Sequence, residues 1–132
     1  SQRVVAAAAE RLRRYANVEV REGDMHALPF KDASFDLVVL MHALTYAAKP
    51  AQAVAESARV LRKGGRMLLS SLARHEHRNV VEAYGHQNLG FSEKELRKFA
   101  EKAGLRIASC ETVTRERRPP RFEVISLIGE KP

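Results

Sequence analysis

The run Phe35–Met41 constrains the fold more than any other feature, because six of its seven residues are apolar and do not alternate with polar ones. A strand with one face in water alternates apolar and polar residues. An unbroken run is typical of a strand covered on both faces, as in a parallel sheet. We therefore predict that this run is an inner strand of an α/β domain.

Helical periodicity before and after this run supports the same class. Apolar residues between Val4 and Leu12 recur at helical spacing and predict a helix over residues 3–15. A second helix is predicted to begin at Pro50 and to be closed by Lys63–Gly65. A third is predicted to begin with a capping box at Ser92–Glu95 and to end at Gly104.

The predicted strands alternate with these helices until the last two, which have only the charged turn 115–121 between them. A turn that short forces an antiparallel hairpin. Segment 74–90 is predicted to form a short helix and a loop. The sequence thus predicts a mostly parallel sheet with helices on both faces and an antiparallel C-terminal hairpin. Its five strands are Val18–Arg21, Phe35–Met41, Arg66–Ser71, Leu105–Val113 and Phe122–Ile128.

Charge and cysteine content exclude several functions. The net charge of +7 is spread along the chain, so we interpret it as a solvated surface and not as a nucleic-acid footprint. The one candidate for nucleic-acid contact is Arg115–Arg121, and we favour its interpretation as a solvated turn. A single cysteine, Cys110, excludes an internal disulfide and a thiolate zinc site. No apolar stretch is long enough to cross a bilayer, and the simplest expected location is the cytoplasm.

Three segments resemble consecutive motifs of class I S-adenosylmethionine-dependent methyltransferases. Val18–Phe30 resembles their third strand and the residues after it, and Ser34–Val39 resembles their fourth strand. Ala58–Leu69 resembles the helix, the double-glycine turn and the fifth strand. More narrowly, Gly90–Ser92 and Arg118–Val124 look like the methyltransferase domain fused behind winged-helix regulators of the arsenic-sensor type.

The resemblance implies a Rossmann-like fold whose first two strands are missing. Family members carry a Gly-x-Gly loop after the first strand and a ribose-binding acid after the second. Here no glycine precedes Gly23 and no acidic residue precedes Glu10. We therefore expect residues 1–132 to form a single partial domain, truncated at its N-terminus and inactive alone. We also expect a dimer or other assembly that covers the exposed sheet edge.

The resemblance also implies where S-adenosylmethionine binds. Asp24 would accept a hydrogen bond from the adenine amino group, while the Met25 N–H would meet a ring nitrogen. The side chains of Met25 and Leu28 would flank the ring. From the residues alone, Gly23–Asp24 is also a common strand-ending turn. Met41 and His42 are expected at the cofactor too, because open α/β sheets bind ligands at the carboxyl ends of their strands.

The candidate catalytic residues are His42 and His86, because histidine can act as a base near neutral pH. An ordinary packed histidine is the alternative for His42, and a solvated surface is the alternative for His86. His75 and His77 are candidates for acceptor contact, with a solvated surface as the alternative and a metal site disfavoured. Two tyrosines, Tyr46 and Tyr84, are candidates for a pocket wall or for plain packing.

Two functions follow from these expectations. The first is methyl transfer to an unidentified small-molecule acceptor. The second is a ligand-sensing module of a transcriptional regulator that binds S-adenosylmethionine or its demethylated product without turnover. Met41–Leu44 lacks the Asn/Asp-Pro-Pro-Tyr/Phe motif of enzymes that methylate nucleobase amino groups, which argues against that acceptor class. The single cysteine argues against arsenic methylation.

Overall fold

The computed structural model of the protein describes residues 1–81 and 85–132, and all of their side chains except those of 80 and 81. A 3-10 turn spans Leu44–Tyr46. The helices are α1 (Gln2–Leu12), α2 (Pro50–Val60), α3 (Arg78–Val81) and α4 (Glu93–Lys102). The strands are β1 (Phe35–Met41), β2 (Leu61–Leu72), β3 (Arg106–Arg115) and β4 (Glu123–Glu130).

The four strands form one sheet in the order β1-β2-β4-β3. β1 pairs with β2 in parallel, and β4 is antiparallel to both β2 and β3. In this sheet β1, β2 and β3 therefore run in one direction and β4 runs against them. The α/β class and the antiparallel C-terminal hairpin are confirmed, and β4 lies between β2 and β3.

The core lies between the sheet and two helices that share one of its faces. α2 and α4 contact each other, and each contacts the sheet. Alternate residues of β2 and β4 point toward them, with Leu69 paired to Leu127 in register. The fully buried apolar side chains of this layer include Val54, Leu61, Met67, Leu69, Leu96 and Leu127.

The opposite face of the sheet is uncovered in the part of the chain that the structure describes. On β1, Leu37 is 57% exposed, Val39 46% and Met41 69%. α1 has no buried residue, so it does not form a packed layer over these side chains. Among the described residues no helix covers this face of β1, so the expected helices on both faces are not found there, although β1 has the apolar sequence of a strand covered on both faces.

The expected strand Val18–Arg21 is wrong, because this segment has no strand pairing. Val18 is exposed, and Arg21 donates instead to the nearby Glu19 carboxylate over 2.6 Å. A strand needs hydrogen bonds to a neighbour. Within the described residues none lies beside this segment.

The expected end of α2 at Lys63–Gly65 is also wrong. The helix ends at Val60, and Leu61 already has the extended φ of −76° and ψ of 141°. Lys131 Nζ donates to the Ala58 carbonyl over 2.8 Å and to the Leu61 carbonyl over 2.7 Å, so a cation from the far end of the chain satisfies the last turn. Gly64, with φ +82°, lies in the irregular start of β2.

The predicted boundaries of α4 are confirmed. The Ser92 hydroxyl accepts from the Glu95 N–H over 3.1 Å, and the Glu95 carboxylate accepts from the Ser92 N–H over 3.2 Å. Gly104 follows the helix with φ +85°. The short helix expected within 74–90 is α3, while Tyr84 lies outside the described residues. Among the described residues, no helix combines the length and the apolarity needed to cross a membrane.

Candidate functional site

The carboxyl ends of β1 and β2 lie at the same edge of the sheet, because the two strands are parallel. His42 follows β1 with φ +51°, a left-handed backbone conformation that residues other than glycine adopt at a cost in free energy. Its N–H donates to the Ser70 carbonyl over 2.9 Å. The chain thereby leaves the sheet at His42 and enters the 3-10 turn.

This turn is bound to residues 87 and 88, which lie some forty residues later in the chain. The Thr45 carbonyl accepts from the N–H groups of Gln87, over 2.6 Å, and Asn88, over 3.1 Å. The Asn88 side-chain amide donates to the Ala47 carbonyl over 2.8 Å. Two loops that are far apart in sequence are therefore held side by side at the end of β1.

Tyr46 and His86 meet where these two loops join. The Tyr46 hydroxyl lies 3.2 Å from His86 Nε2, and the two rings pack edge to face at 4.7 Å between centroids. Burial lowers the pKa of His86 below its ordinary 6.5, and repulsion from a charged His42 lowers it further. His86 is therefore neutral at pH 7 and able to accept a proton. The structure thus brings Tyr46 and His86 into contact, and it places His42 near enough for its charge to act on His86.

The titration of His86 tests this arrangement. We expect its ring proton shifts in NMR spectra to titrate below pH 6.5, and His42→Gln to raise the midpoint by removing the nearby charge. The unfolded chain binds this proton more readily than the folded chain does. Above pH 6.5 the His86 ring is neutral in both states, so its lowered pKa does not reduce the stability of the fold there. The stability falls as the pH drops from 6.5 to the lowered pKa. A midpoint at or above 6.5, or one unmoved in His42→Gln, would contradict the geometry.

Two further histidines lie at the carboxyl end of β2. His75 and His77 stack at 5.8 Å, and the Phe122 ring packs edge-on against both, at 4.7 and 5.6 Å. They line a hollow of about 350 Å³ together with Arg74 and Arg121. Within the described residues, no group of three or more His, Cys, Asp or Glu side chains is placed to hold a metal ion.

Asp24 lies in a tight turn and not at the end of a strand. Its Oδ1 accepts from the His26 N–H over 2.9 Å and lies 2.7 Å from His26 Nδ1. These bonds, the backbone one foremost, lower the pKa of Asp24 below 3.8. The Lys49 N–H donates to His26 Nε2 over 3.1 Å, and the Gln52 side chain donates to the His26 carbonyl over 2.9 Å. The turn is therefore anchored to the start of α2.

His26 is not among the site residues predicted from the sequence, although an Asp followed two residues later by a His is a spacing that allows an Asx turn. His26 fixes one carboxylate oxygen of Asp24. Across the described residues, Oδ2 of Asp24 makes no hydrogen bond, and the carboxylate is exposed. The turn therefore presents an ionised acceptor whose orientation is already set.

Met25 and Leu28 face a different hollow from Asp24. Met25 packs against the core, and both residues line an apolar groove of about 340 Å³ along β1. The Leu28 N–H donates to Glu56 Oε1 over 2.7 Å, and Arg59 donates to the Leu28 carbonyl over 3.1 Å. Asp24 lines a separate hollow with Lys49 and Gln52. The predicted adenine-binding residues are thus neighbours in sequence, but their side chains lie in two hollows.

Comparison with known families identifies the class of protein. The sequence profile of a family described as a methyltransferase domain matches residues 1–69, which is more than half of the chain. The chain belongs to this methyltransferase-domain family. The expected class is confirmed to that extent, while a regulator fusion and a truncation remain predictions.

The similar sequences align with part of the chain. It is 45% identical over 69 residues to an uncharacterised 37.1 kDa protein in transposon Tn4556 of Streptomyces fradiae, covering 52% of this chain and 20% of that protein. It is 38% identical over 68 residues to the ubiquinone/menaquinone biosynthesis C-methyltransferase of Hahella chejuensis, covering 52% of this chain and 27% of that protein. The chain thus spans about a quarter or less of these two relatives.

Solved structures confirm the fold over the whole chain. The [4+2]-cyclase SpnF superposes with a TM-score of 0.82 at 21% identity, covering 100% of this chain and 63% of that one. At this identity the likeness shows the Rossmann-like fold and says nothing about the reaction.

Proposed function

We propose that this domain transfers a methyl group from S-adenosylmethionine to a small-molecule acceptor. The observation that carries the proposal is the contact between Tyr46 and His86, with His42 nearby at the carboxyl end of β1, in a chain of the methyltransferase-domain family. The Asp24 turn lies at the same end, because its His26 accepts from Lys49, three residues after Tyr46.

The residues at this end suit the adenine part of the cofactor. Asp24 is ionised and offers Oδ2 as an acceptor for an amino group, while the Met25 N–H beside it is a donor for a ring nitrogen. Apolar side chains of Met25 and Leu28 line the adjacent groove. Met41 and His42 lie where the strand ends. When bound, the cofactor supplies a methyl group that its sulfonium charge has already activated for direct displacement.

In this proposal the histidines handle the proton of the acceptor. His86 is neutral at pH 7 because burial and His42 both disfavour its charged form. The hydrogen bond with Tyr46 orients the ring. A base held in this way contributes about 10²–10⁴-fold to the rates of reactions that need one. His75 and His77 lie at the end of β2, where they would line the acceptor side.

The deciding experiment maps where the demethylated cofactor binds. We expect millimolar S-adenosylhomocysteine to shift the backbone NMR signals of five residues and to leave those of β3 unchanged, because β3 lies at the opposite edge of the sheet. Shifts confined to other residues, or no shifts, would contradict the proposed site. The five residues are Asp24, Met25, Leu28, Met41 and His42.

Asp24→Ala tests the adenine contact within the same titration. Loss of a hydrogen bond to a charged group should weaken binding by about 1.5–3 kcal/mol, or roughly ten- to 150-fold. Glu22→Ala is the matched control, because Glu22 carries the same charge, is exposed and lies two residues from Asp24. Equal affinities of the two variants would show that Asp24 only stabilises the turn it forms with His26 and does not contact adenine.

A sensing module that binds the cofactor without turnover would shift the same backbone NMR signals. Formation of S-adenosylhomocysteine from S-adenosylmethionine in the presence of an acceptor separates the two functions. Methyl transfer predicts acceptor-dependent product, and sensing predicts none.

A further inference from the structure

The hollow of about 350 Å³ that His75 and His77 line lies where β2 ends and β4 begins. Residues 73–77 and 120–123 form its wall. The two segments are held together because β2 and β4 are paired up to Leu72, which is opposite Val124. The hollow is large enough to hold a small molecule. The donors and charges on its wall determine which ligand fits.

His75 contributes a hydrogen-bond donor that the described residues leave unused. Its Nδ1 accepts from the His77 N–H over 3.1 Å and therefore carries no proton. Burial lowers the pKa of His75 below 6.5, and repulsion from His77 and His86 lowers it further. The ring is thus neutral at pH 7, with its proton on Nε2. Within residues 1–81 and 85–132 this Nε2 is buried and has no hydrogen-bond partner, whereas buried donors nearly always have an acceptor.

Arg121 adds a positive charge to the same hollow. Its side chain is exposed, and in the described part of the chain it makes no ion pair. The other arginine of the hollow, Arg74, is already paired with Glu95 over 2.6 Å. A guanidinium and a neutral N–H on one wall suit a carboxylate, because both of its oxygens accept hydrogen bonds.

Two glutamates on the wall limit the charge of the ligand. Glu123 lies 3.4 Å from the Arg115 guanidinium, so its charge is balanced. Glu76 is exposed and lines the hollow together with Arg121. A second negative charge on the ligand would be repelled by Glu76 without gaining another cation. The hollow therefore suits a singly charged carboxylate better than a doubly charged phosphate.

We propose that this hollow binds a carboxylate of the methyl acceptor, with His75 Nε2 and the Arg121 guanidinium as the donors. Its role as the acceptor site rests on the proposed function. The hollow lies near the contact between Tyr46 and His86, because His86 is close enough to lower the pKa of His75. The Phe122 ring on the same wall offers an apolar surface to the body of the acceptor. The substrate class is thus a carboxylic acid with an apolar body.

Benzoate and benzamide test this class, because they have nearly the same shape and differ in charge. We expect benzoate to shift the backbone NMR signals of His75, Arg121 and Phe122 in the 132-residue chain. Benzamide should bind at least tenfold more weakly, and doubly charged phenylphosphonate should also bind more weakly than benzoate. Equal or tighter binding of either compound would overturn the proposal. Absence of saturable benzoate shifts at these three residues would overturn it as well.

Arg121→Gln tests which cation holds the carboxylate. It should weaken benzoate at least tenfold and leave benzamide unchanged. Arg117→Gln is the matched control, because Arg117 is exposed in the same turn and does not line the hollow. Equal losses in the two variants would show a general attraction to the basic turn and would contradict a site at Arg121.

His75→Phe tests the second donor, because it keeps a ring and removes the Nε2 proton. Benzoate should again bind more weakly, in a variant whose dispersed NMR signals show that it is folded. Unchanged benzoate binding by the folded variant would contradict the role of His75.

These titrations contain no cofactor, so they separate the hollow from methyl transfer. A chain that responds to S-adenosylhomocysteine at Asp24 and His42 but not to benzoate would contradict the carboxylate site alone. A chain that responds to benzoate but not to S-adenosylhomocysteine would contradict the proposed function and leave the carboxylate-binding hollow in place.

Discussion

Gly90→Ala is expected to lower the free energy of unfolding by about 3 kcal/mol or more, from overpacking together with a strained backbone angle. A Cβ at Gly90 would come within 2.6 Å of the Leu72 carbonyl oxygen and still closer to that of Ala73, and φ there is +82°. The neighbouring Phe91 N–H donates to the Leu72 carbonyl over 3.0 Å. The backbone therefore cannot move away without losing a bond that holds this loop against β2.

Gly104→Ala is the control that separates the two causes. Gly104 has nearly the same φ, +85°, but nothing lies within 4 Å of a Cβ placed there. Its loss should be about 1–2 kcal/mol, the cost of a left-handed angle for a side chain. Urea unfolding of both variants measures the difference. Losses of equal size would show that close approach to β2 does not constrain Gly90.

S-adenosylhomocysteine is expected to bind the 132-residue chain about two to four decades more weakly than it binds a methyltransferase that has both a glycine-rich loop and a ribose-binding acid. The residues available to it are the Asp24 turn, the groove beside β1 and the carboxyl end of β1. The resemblance implies two further sets of contacts, from a glycine-rich loop and from a ribose-binding acid. Absence of two or three such hydrogen bonds corresponds to about 3–6 kcal/mol.

Calorimetry on the two proteins under the same conditions measures this difference. Dispersed NMR signals from the 132-residue chain would show that it is folded, so that weak binding is not a consequence of unfolding. Micromolar binding by the folded chain would contradict the prediction. It would mean that the residues described here form a complete cofactor site.

Local sequence patterns determined most of the helices and strands. The capping box at Ser92–Glu95 and the glycine after α4 set the ends of that helix, because the groups that cap it are within a few residues of its ends. The run Phe35–Met41 became β1 with the predicted bounds. The charged turn after β3 was enough to predict an antiparallel hairpin, since a short connection permits no crossover.

Contacts between distant residues could not be predicted in the same way. Val18–Arg21 has the composition of a strand, but a strand exists only when another strand lies beside it. α2 ends at Val60 because β2 begins there and Lys131, some seventy residues later, satisfies its last carbonyls. Neither the lack of a neighbouring strand among the described residues nor the distant cation leaves a signal near the element it affects.

The same distinction between local patterns and distant contacts applies to the residues of the candidate site. The sequence by itself determined the α/β class, the chemical types of the site residues and the position of His42 after a strand. Only the tertiary structure decided that His86 and Tyr46 meet, that His26 orients Asp24, and that Met25 and Leu28 face a different hollow. The reason is physical. Periodicity and caps depend on interactions within a few residues, whereas a site depends on which loops the folded sheet brings to one end.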